Sequence, residues 1–252
     1  MEKISIVCLI YQSVEYASFI YNNLLKYTPE LHSGEAEFYF VANDASEEVL
    51  NYLQKNNLPH HINNNIFYTK EELFKMGFAF PEYINRVYSG YNFGIRISKN
   101  PIVVLINSDN AFSYGWLGSM KNKLTNSTVV SATLVQPHIF FNPKNMSACV
   151  VFDCGSSLGT FDEEKFIRKA TEIKKDSTSV GNAFMPLMLY KWQAEAVGYY
   201  PEGNLHNGNY DSIRVTGDHG FINNLERINI QHVTSNYSIV YHFQEGEKYK
   251  KL

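Results

Sequence analysis

"PIVVLINSDN", residues 101–110, is an apolar run that stops on an acid flanked by small polar groups. Ile102 to Ile106 carry no polar residue, the pattern of a strand covered on both faces, as in a parallel sheet packed between helices. Ligands of open parallel sheets gather at the carboxyl ends of strands, where loops and helix N-termini converge, so Ser108 and Asp109 are candidates to touch one. Upstream, "EYINRVYSGYNFGIRIS" predicts a helix over about 82–98. Before it the chain alternates: "ISIVCLIY" reads as a strand, "SVEYASFIYNNLLKYT" as a helix and "AEFYFVAND" as a second strand. "ASEEVLNYLQKNN" follows as a helix that Ser46 caps, with Glu47 and Glu48 in its first turn, and "HHINNNIFYT" as a short strand. Alternation of this kind predicts an α/β fold with a central, mostly parallel sheet flanked by helices.

After Trp116 the rhythm changes. "STVVSATLVQPHIFF" reads as a strand, "DCGSSLG" as a loop and "FDEEKFIRKATEIKKD" as an amphipathic helix. "AFMPLMLYKWQAEAVGYYPEG" gives an apolar segment, a short helix and a turn, and "TGDHGFINNLERI" a helix that opens at an acid. "SIVYHF" is the last strand, before the solvated tail "QEGEKYKKL". No repeat, low-complexity tract or linker divides the chain, which predicts one domain over residues 1–252 in two functional halves, 1–115 and 116–252. With 252 residues, 44% of them hydrophobic, it can bury a sizeable core. A formal charge of −3 argues against a nucleic-acid coat. Cys8, Cys149 and Cys154 form no CxxC pair, and with no leader and no run of 18 apolar residues the expectation is a cytoplasmic protein without a membrane span. The sequons at Asn126, Asn145 and Asn236 then carry no weight. No GxGxxG and no GxxxxGK[ST] occurs, which removes the dinucleotide and P-loop readings. Adjacent His60 and His61 diverge on a strand and do not make a zinc site.

Three strand ends carry polar groups suited to a nucleotide: "YQS" after the first, "VANDAS" after the second and "NSDN" after the one at 101–107. Asn43 and Asp44 can accept hydrogen bonds from a base or ribose, and Asp109 can hold a hard cation. Each also has an ordinary reading as a turn or capping residue.

Taken in order, these motifs resemble the family 2 inverting glycosyltransferases, which have the Rossmann-like GT-A fold. The opening "ISIVCLIYQS" is similar to that family's first strand and nucleotide-contact loop, which implicates Ile10, Tyr11 and Gln12. "VANDAS" resembles its second-strand motif, with Asn43 and Asp44 at the base. "RVYSGYNFGIRISKNPIVVLINSDN" resembles the run from a donor-site Arg, here Arg86, through Asn92 and Gly94 to Ser108 and Asp109; Ser108 replaces the usual acid at the ribose, and Asp109 matches the metal ligand. "MLYKWQAEAVGYYPEG" is similar to the segment before the acceptor-side acid, with Pro201 ahead of Glu202. "TGDHGFINNL" resembles the Glu-Asp motif, with Gly217 in place of Glu and Asp218 at the catalytic base. "YHFQEGE" resembles the late His motif, making His242 a second metal ligand. The likeness runs from residue 4 to about 246.

The resemblance implies a nucleotide-sugar donor, UDP-linked by default, a hydroxyl acceptor on a glycan or other molecule, and Mn2+ or Mg2+. The chemistry is coherent, because a divalent cation held by a carboxylate and an imidazole neutralises a diphosphate leaving group, Arg86 adds a fixed charge, and one carboxylate suffices as base for a single, inverting displacement. Trp192, Tyr200, Glu202 and His219 are the acceptor-side candidates, and the stretch His138 to Asn182 is expected beside them, mobile without substrate. Ordinary readings remain: Asp218 as a helix cap, His242 as a packed strand residue and Arg86 as a solvated one. The three replaced acids also leave open a catalytically silent protein of the same fold.

Overall fold

The computed structural model describes residues 2–138, 149–181, 183–244 and 246. Its first half runs β1 (Ile4–Ile10), α1 (Val14–Tyr27), α2 (Pro29–Ser33), β2 (Ala36–Asn43), α3 (Glu47–Lys55), β3 (His60–Asn63), α4 (Lys70–Lys75), β4 (Phe78–Ala79), α5 (Tyr83–Ile97), β5 (Ile102–Ile106) and β6 (Asn110–Phe112). The second half runs α6 (Trp116–Lys121), β7 (Thr128–Gln136), β8 (Cys149–Val151), α7 (Glu163–Ile173), β9 (Thr178–Val180), β10 (Leu187–Tyr190), α8 (Lys191–Ala196), β11 (Asn204–His206), β12 (Ile213–Val215), α9 (Gly217–Arg227) and β13 (Gln231–His242). The main sheet has the order β3-β2-β1-β5-β10-β7-β13-β6, with β8 beside β7 and β9 beside β13, and a small second sheet has the order β12-β11-β4.

Strands β3, β2, β1 and β5 are parallel, and their register is level: Ile4 faces both Ala36 and Ile102, and Cys8 faces Phe40 and Ile106. Level register delivers the polar ends of β1, β2 and β5 to one edge. Alternation of side chains then splits the core. Ile4, Ile6, Ile102 and Val104 pack with α1 and α3 residues such as Ile20 and Val49 on one face. Val7, Val103 and Leu105 pack with Tyr91 and Ile95 of α5 and Phe221 of α9 on the other. Helix α5 lies so close to the sheet that a Cβ on Gly94 would stand 2.4 Å from Val7 Cγ1, which accounts for the glycine within that helix.

The caps follow the sequence reading: Ser46 Oγ accepts from the Val49 N–H, with Glu47 and Glu48 in the first turn of α3. Two elements differ in length. The strand expected at "HHINNNIFYT" ends at Asn63, because the Asn63 and Asn65 side chains turn back onto Asn43 and Asp44. The last strand begins at Gln231, since Gln231 to Ser235 pair in parallel with β7; that stretch alternates too weakly to read alone. Residues 139–141 of the expected strand "STVVSATLVQPHIFF", Asn145 and most of the tail lie outside the described residues. Among the described residues no helix is long and apolar enough to cross a membrane.

Candidate active site

A cavity of about 390 Å³ opens at the carboxyl edge of β1, β2 and β5. Of the residues predicted to meet a nucleotide, Ile10, Tyr11, Asn43, Asp44, Arg86, Ser108 and Asp109 line it. Tyr83, Val87 and Tyr91 line it as well, one residue per turn along α5; their spacing was in the sequence, but only docking of the helix chose that stripe.

Asp44 has a left-handed backbone, φ 51°, which Asp tolerates better than most residues. The turn aims its carboxylate at Asn65, whose backbone N–H donates to Oδ1 at 2.9 Å and whose side-chain amide donates to Oδ2 at 2.8 Å. Asn43 Oδ1 accepts from the amides of Asn63 and Asn65 at 2.7 and 2.8 Å, while its own amide donates to the Arg86 carbonyl at 2.9 Å. Arg86 Nη1 stands 3.8 Å from Asp44 Oδ2, and its guanidinium lies 5.9 Å from the Tyr11 ring centre and 5.1 Å from that of Phe67. Asn63 and Asn65 were missed as site residues; their two-residue spacing was the available signal, hidden inside an asparagine run.

The metal-ligand candidates meet through strand pairing. β6 pairs antiparallel with the end of β13, placing His242 opposite Asn110, and the Phe243 N–H donates to the Asp109 carbonyl at 3.1 Å. Asp109 Oδ2 and His242 Nε2 are consequently 3.2 Å apart. Burial pulls the His242 pKa down, but the charge and hydrogen bond of Asp109 outweigh it and leave the imidazole above its ordinary value. His242 Nδ1 faces Gln136 Oε1 at 3.4 Å, which favours the proton on Nδ1 and directs Nε2 toward Asp109. Adjacent corners of an octahedron with bonds of about 2.1 Å lie about 3 Å apart, so this pair fits a hard divalent cation. Among the described residues no cluster of three His, Cys, Asp or Glu side chains forms, so a cation held here draws its other ligands from elsewhere.

Asp218 lies in the first turn of α9, where Thr216 accepts from the His219 N–H. It is half-buried and does not line the cavity. Burial pushes its pKa up to about 6, although the Tyr88 hydroxyl, which donates to Oδ2 at 2.9 Å, works the other way. Tyr91 links the two regions: it lines the cavity, donates to Asn107 Oδ1, and has its pKa raised by burial, then by Cys8, Asp218 and Asp109.

Not all of the predicted site residues line this cavity. Asn92 is buried and holds the backbone of Tyr200 through two hydrogen bonds, of 2.9 and 3.0 Å, so it braces the core and does not meet the cavity. Tyr200 is itself a core residue, stacked 3.9 Å from Phe221, and offers no surface to an acceptor. Trp192 is exposed but lies at the far end of the sheet, because β10 runs antiparallel to β5 and carries the chain back to Pro101; a strand's length, roughly 15 Å, separates it from the cavity edge. Gln12 is half-buried just past β1 and is not part of the lining. Glu202 lines a neighbouring 70 Å³ cavity with Asn85, Arg86 and Ser89, and His219 is exposed, 2.7 Å from Thr216 Oγ1. Within the stretch His138 to Asn182, residues 139–148 and 182 lie outside the described residues; α7 buries Phe166 and Ala170 in the core face opposite Phe221 of α9, away from Asp218.

The chain matches no protein-family model and no curated protein. Among solved structures, it is similar to GalNAc-T7, crystallised with UDP, GalNAc and Mn2+, with a TM-score of 0.58 and 10% identity over 96% of this chain and 44% of that one. It is also similar to mannosyltransferase PcManGT from Pyrobaculum calidifontis in complex with GDP-Man and Mn2+, with a TM-score of 0.56 and 10% identity over 96% of this chain and 56% of that one. A third likeness is to S. aureus TarS 1-349, with a TM-score of 0.55 and 14% identity over 95% of this chain and 60% of that one. The chain thus spans about half the length of these proteins. At such identities the likeness is one of fold, and the fold is that of the GT-A glycosyltransferases.

Proposed function

We propose that the chain is a metal-dependent inverting glycosyltransferase of the family 2 kind, acting as a single GT-A domain on a nucleoside-diphosphate sugar, UDP-linked by default, and on a hydroxyl of a glycan or other acceptor. The observation that carries this reading is the pairing of Asp109 and His242, 3.2 Å apart, at a cavity floored by the ends of three parallel strands. Asp109 and His242 would hold Mn2+ or Mg2+, which when bound supplies charge neutralisation at the diphosphate. Asn43 and Asp44 orient the base, Ser108 offers a hydroxyl to the ribose, and Arg86 adds a positive charge that cannot be titrated away. Asp218 takes the proton of the attacking hydroxyl, with Glu202 and His219 on the acceptor side. A base with a pKa near 6 is matched to that task at neutral pH. Three free cysteines suit a reducing, cytoplasmic setting.

The test is to incubate the protein with a panel of nucleotide sugars and Mn2+ and to measure free nucleoside diphosphate. Slow hydrolysis of one donor, abolished by Asp109→Ala, is the expected result. Asp218→Asn should keep Mn2+-dependent UDP binding and lose transfer. UDP binding with no hydrolysis or transfer in the parent protein would instead support the silent reading, which Ser108, Pro201 and Gly217 motivate.

A further inference from the structure

Position 217 is glycine for a reason that lies in another helix. A Cβ built there would stand 2.3 Å from Cε2 and 2.6 Å from Cζ of Tyr88, so any side chain at 217 competes with the Tyr88 ring for the same space. Tyr88 is buried on α5, and its ring is stacked parallel to Tyr200 with centres 5.7 Å apart. Tyr200 stacks in turn on Phe221 of α9 at 3.9 Å, so three aromatic rings tie α5 to the helix that bears Asp218. The Gly217 N–H donates to Asn204 Oδ1 at 3.1 Å, which fixes the backbone at the helix start.

The Tyr88 hydroxyl ends at Asp218 and contacts it twice. It donates to Oδ2 at 2.9 Å and accepts from the Asp218 backbone N–H at 3.2 Å. A phenol has one proton to give and lone pairs to receive, so both contacts form together and close a small ring that fixes the carboxylate's rotamer. Oδ1 receives no hydrogen bond from the described residues. We propose that Tyr88 is a positioning residue for Asp218: with Gly217 clearing the space, its hydroxyl holds one carboxylate oxygen and aims the other at the acceptor hydroxyl. The inference rests on the reading of Asp218 as the base. When the acceptor loses its proton, that proton goes to Oδ1, and the Tyr88 hydrogen bond to Oδ2 is kept throughout.

Other groups near this carboxylate do not duplicate the contact. Tyr91 and Tyr200 feel its charge, but burial dominates both hydroxyls and drives them upward. His219, the next residue, is turned to Thr216 Oγ1 at 2.7 Å.

The experiment is a 13C NMR titration of the Asp218 carboxyl in the parent protein and in Tyr88→Phe, which keeps the ring stack and removes only the hydroxyl. The hydrogen bond favours the charged form, so Asp218 should titrate about one unit higher in the variant, with the melting temperature a few degrees lower at pH 7 by the same linkage. An unchanged titration would overturn the proposal. A second arm tests the steric half: Gly217→Ala should lower the melting temperature by several degrees in the Tyr88 background and by much less in Tyr88→Ala. Equal losses in both backgrounds would overturn that half. Neither arm uses activity, so they are independent of the base reading, which fails separately if Asp218→Asn retains transfer.

Discussion

A carboxylate whose proton affinity is raised by the fold weakens the fold once it ionises, and Asp218 is in that position. Its contribution is present in full below the ordinary carboxylate value and is lost as pH rises from about 4 through about 6. Asp218→Asn removes the charge while leaving an oxygen for the Tyr88 hydroxyl. The variant should therefore be more stable than the parent at pH 7, by on the order of 1–3 kcal/mol, and no more stable at pH 3.5; denaturant melts at the two pH values check this. At the other end of the site, His242→Ala should remove Mn2+-dependent strengthening of UDP binding in calorimetry, because the Nε2 that faces Asp109 at 3.2 Å is lost. Equal UDP affinity with and without Mn2+ in the parent would remove the ligand assignment for both residues. Asp109 was legible from its place after an apolar strand. Nothing in the chain's periodicity joined it to His242; the family resemblance did.

Helix α5 organises most of the site. Its Tyr83, Val87 and Tyr91 stripe faces the cavity, Asn85 and Ser89 face the smaller cavity with Arg86 bordering both, and Tyr88 and Asn92 face α9 and the Tyr200 turn. Three stripes of one helix serve three regions because successive residues step by about 100°. The helix was legible at 82–98 from its apolar spacing, but assigning Asn92 to the nucleotide required knowing which stripe it occupies. The approach of α5 to the sheet is equally specific. Gly94→Ala would push a methyl group against Val7 Cγ1, 2.4 Å away, and overpacking of this kind destabilises by about 1–3 kcal/mol. A thermal melt should register the loss. Gly198→Ala is no control for crowding, because Gly198 has φ 76°. Gly159 is the suitable comparison, since a methyl group there would meet nothing within 4 Å.

Across the whole molecule, one sheet draws strands from both halves of the chain, and stability should follow it. Amides of β1, β5 and β7, whose residues are almost all buried, should exchange most slowly. The segment from Asn64 to Phe80 should exchange fastest of the chain's described interior: Ile66 and Phe67 are each 71% exposed there and little core covers its backbone. Hydrogen exchange read by mass spectrometry checks the order, and comparable protection of the two regions would contradict it. The sequence by itself determined the alternation of strands and helices, the buried strand at 102–106 and the polar ends that define the cavity edge, because those features depend on local periodicity and on which residues avoid water. Only the tertiary structure decided the rest. The antiparallel course of β10 sends Trp192 to the far end of the sheet, core packing buries Tyr200, and pairing of β6 with β13 brings His242 to Asp109. Strand direction, helix rotation and long-range pairing are settled by packing between distant segments, and no local stretch of sequence contains them.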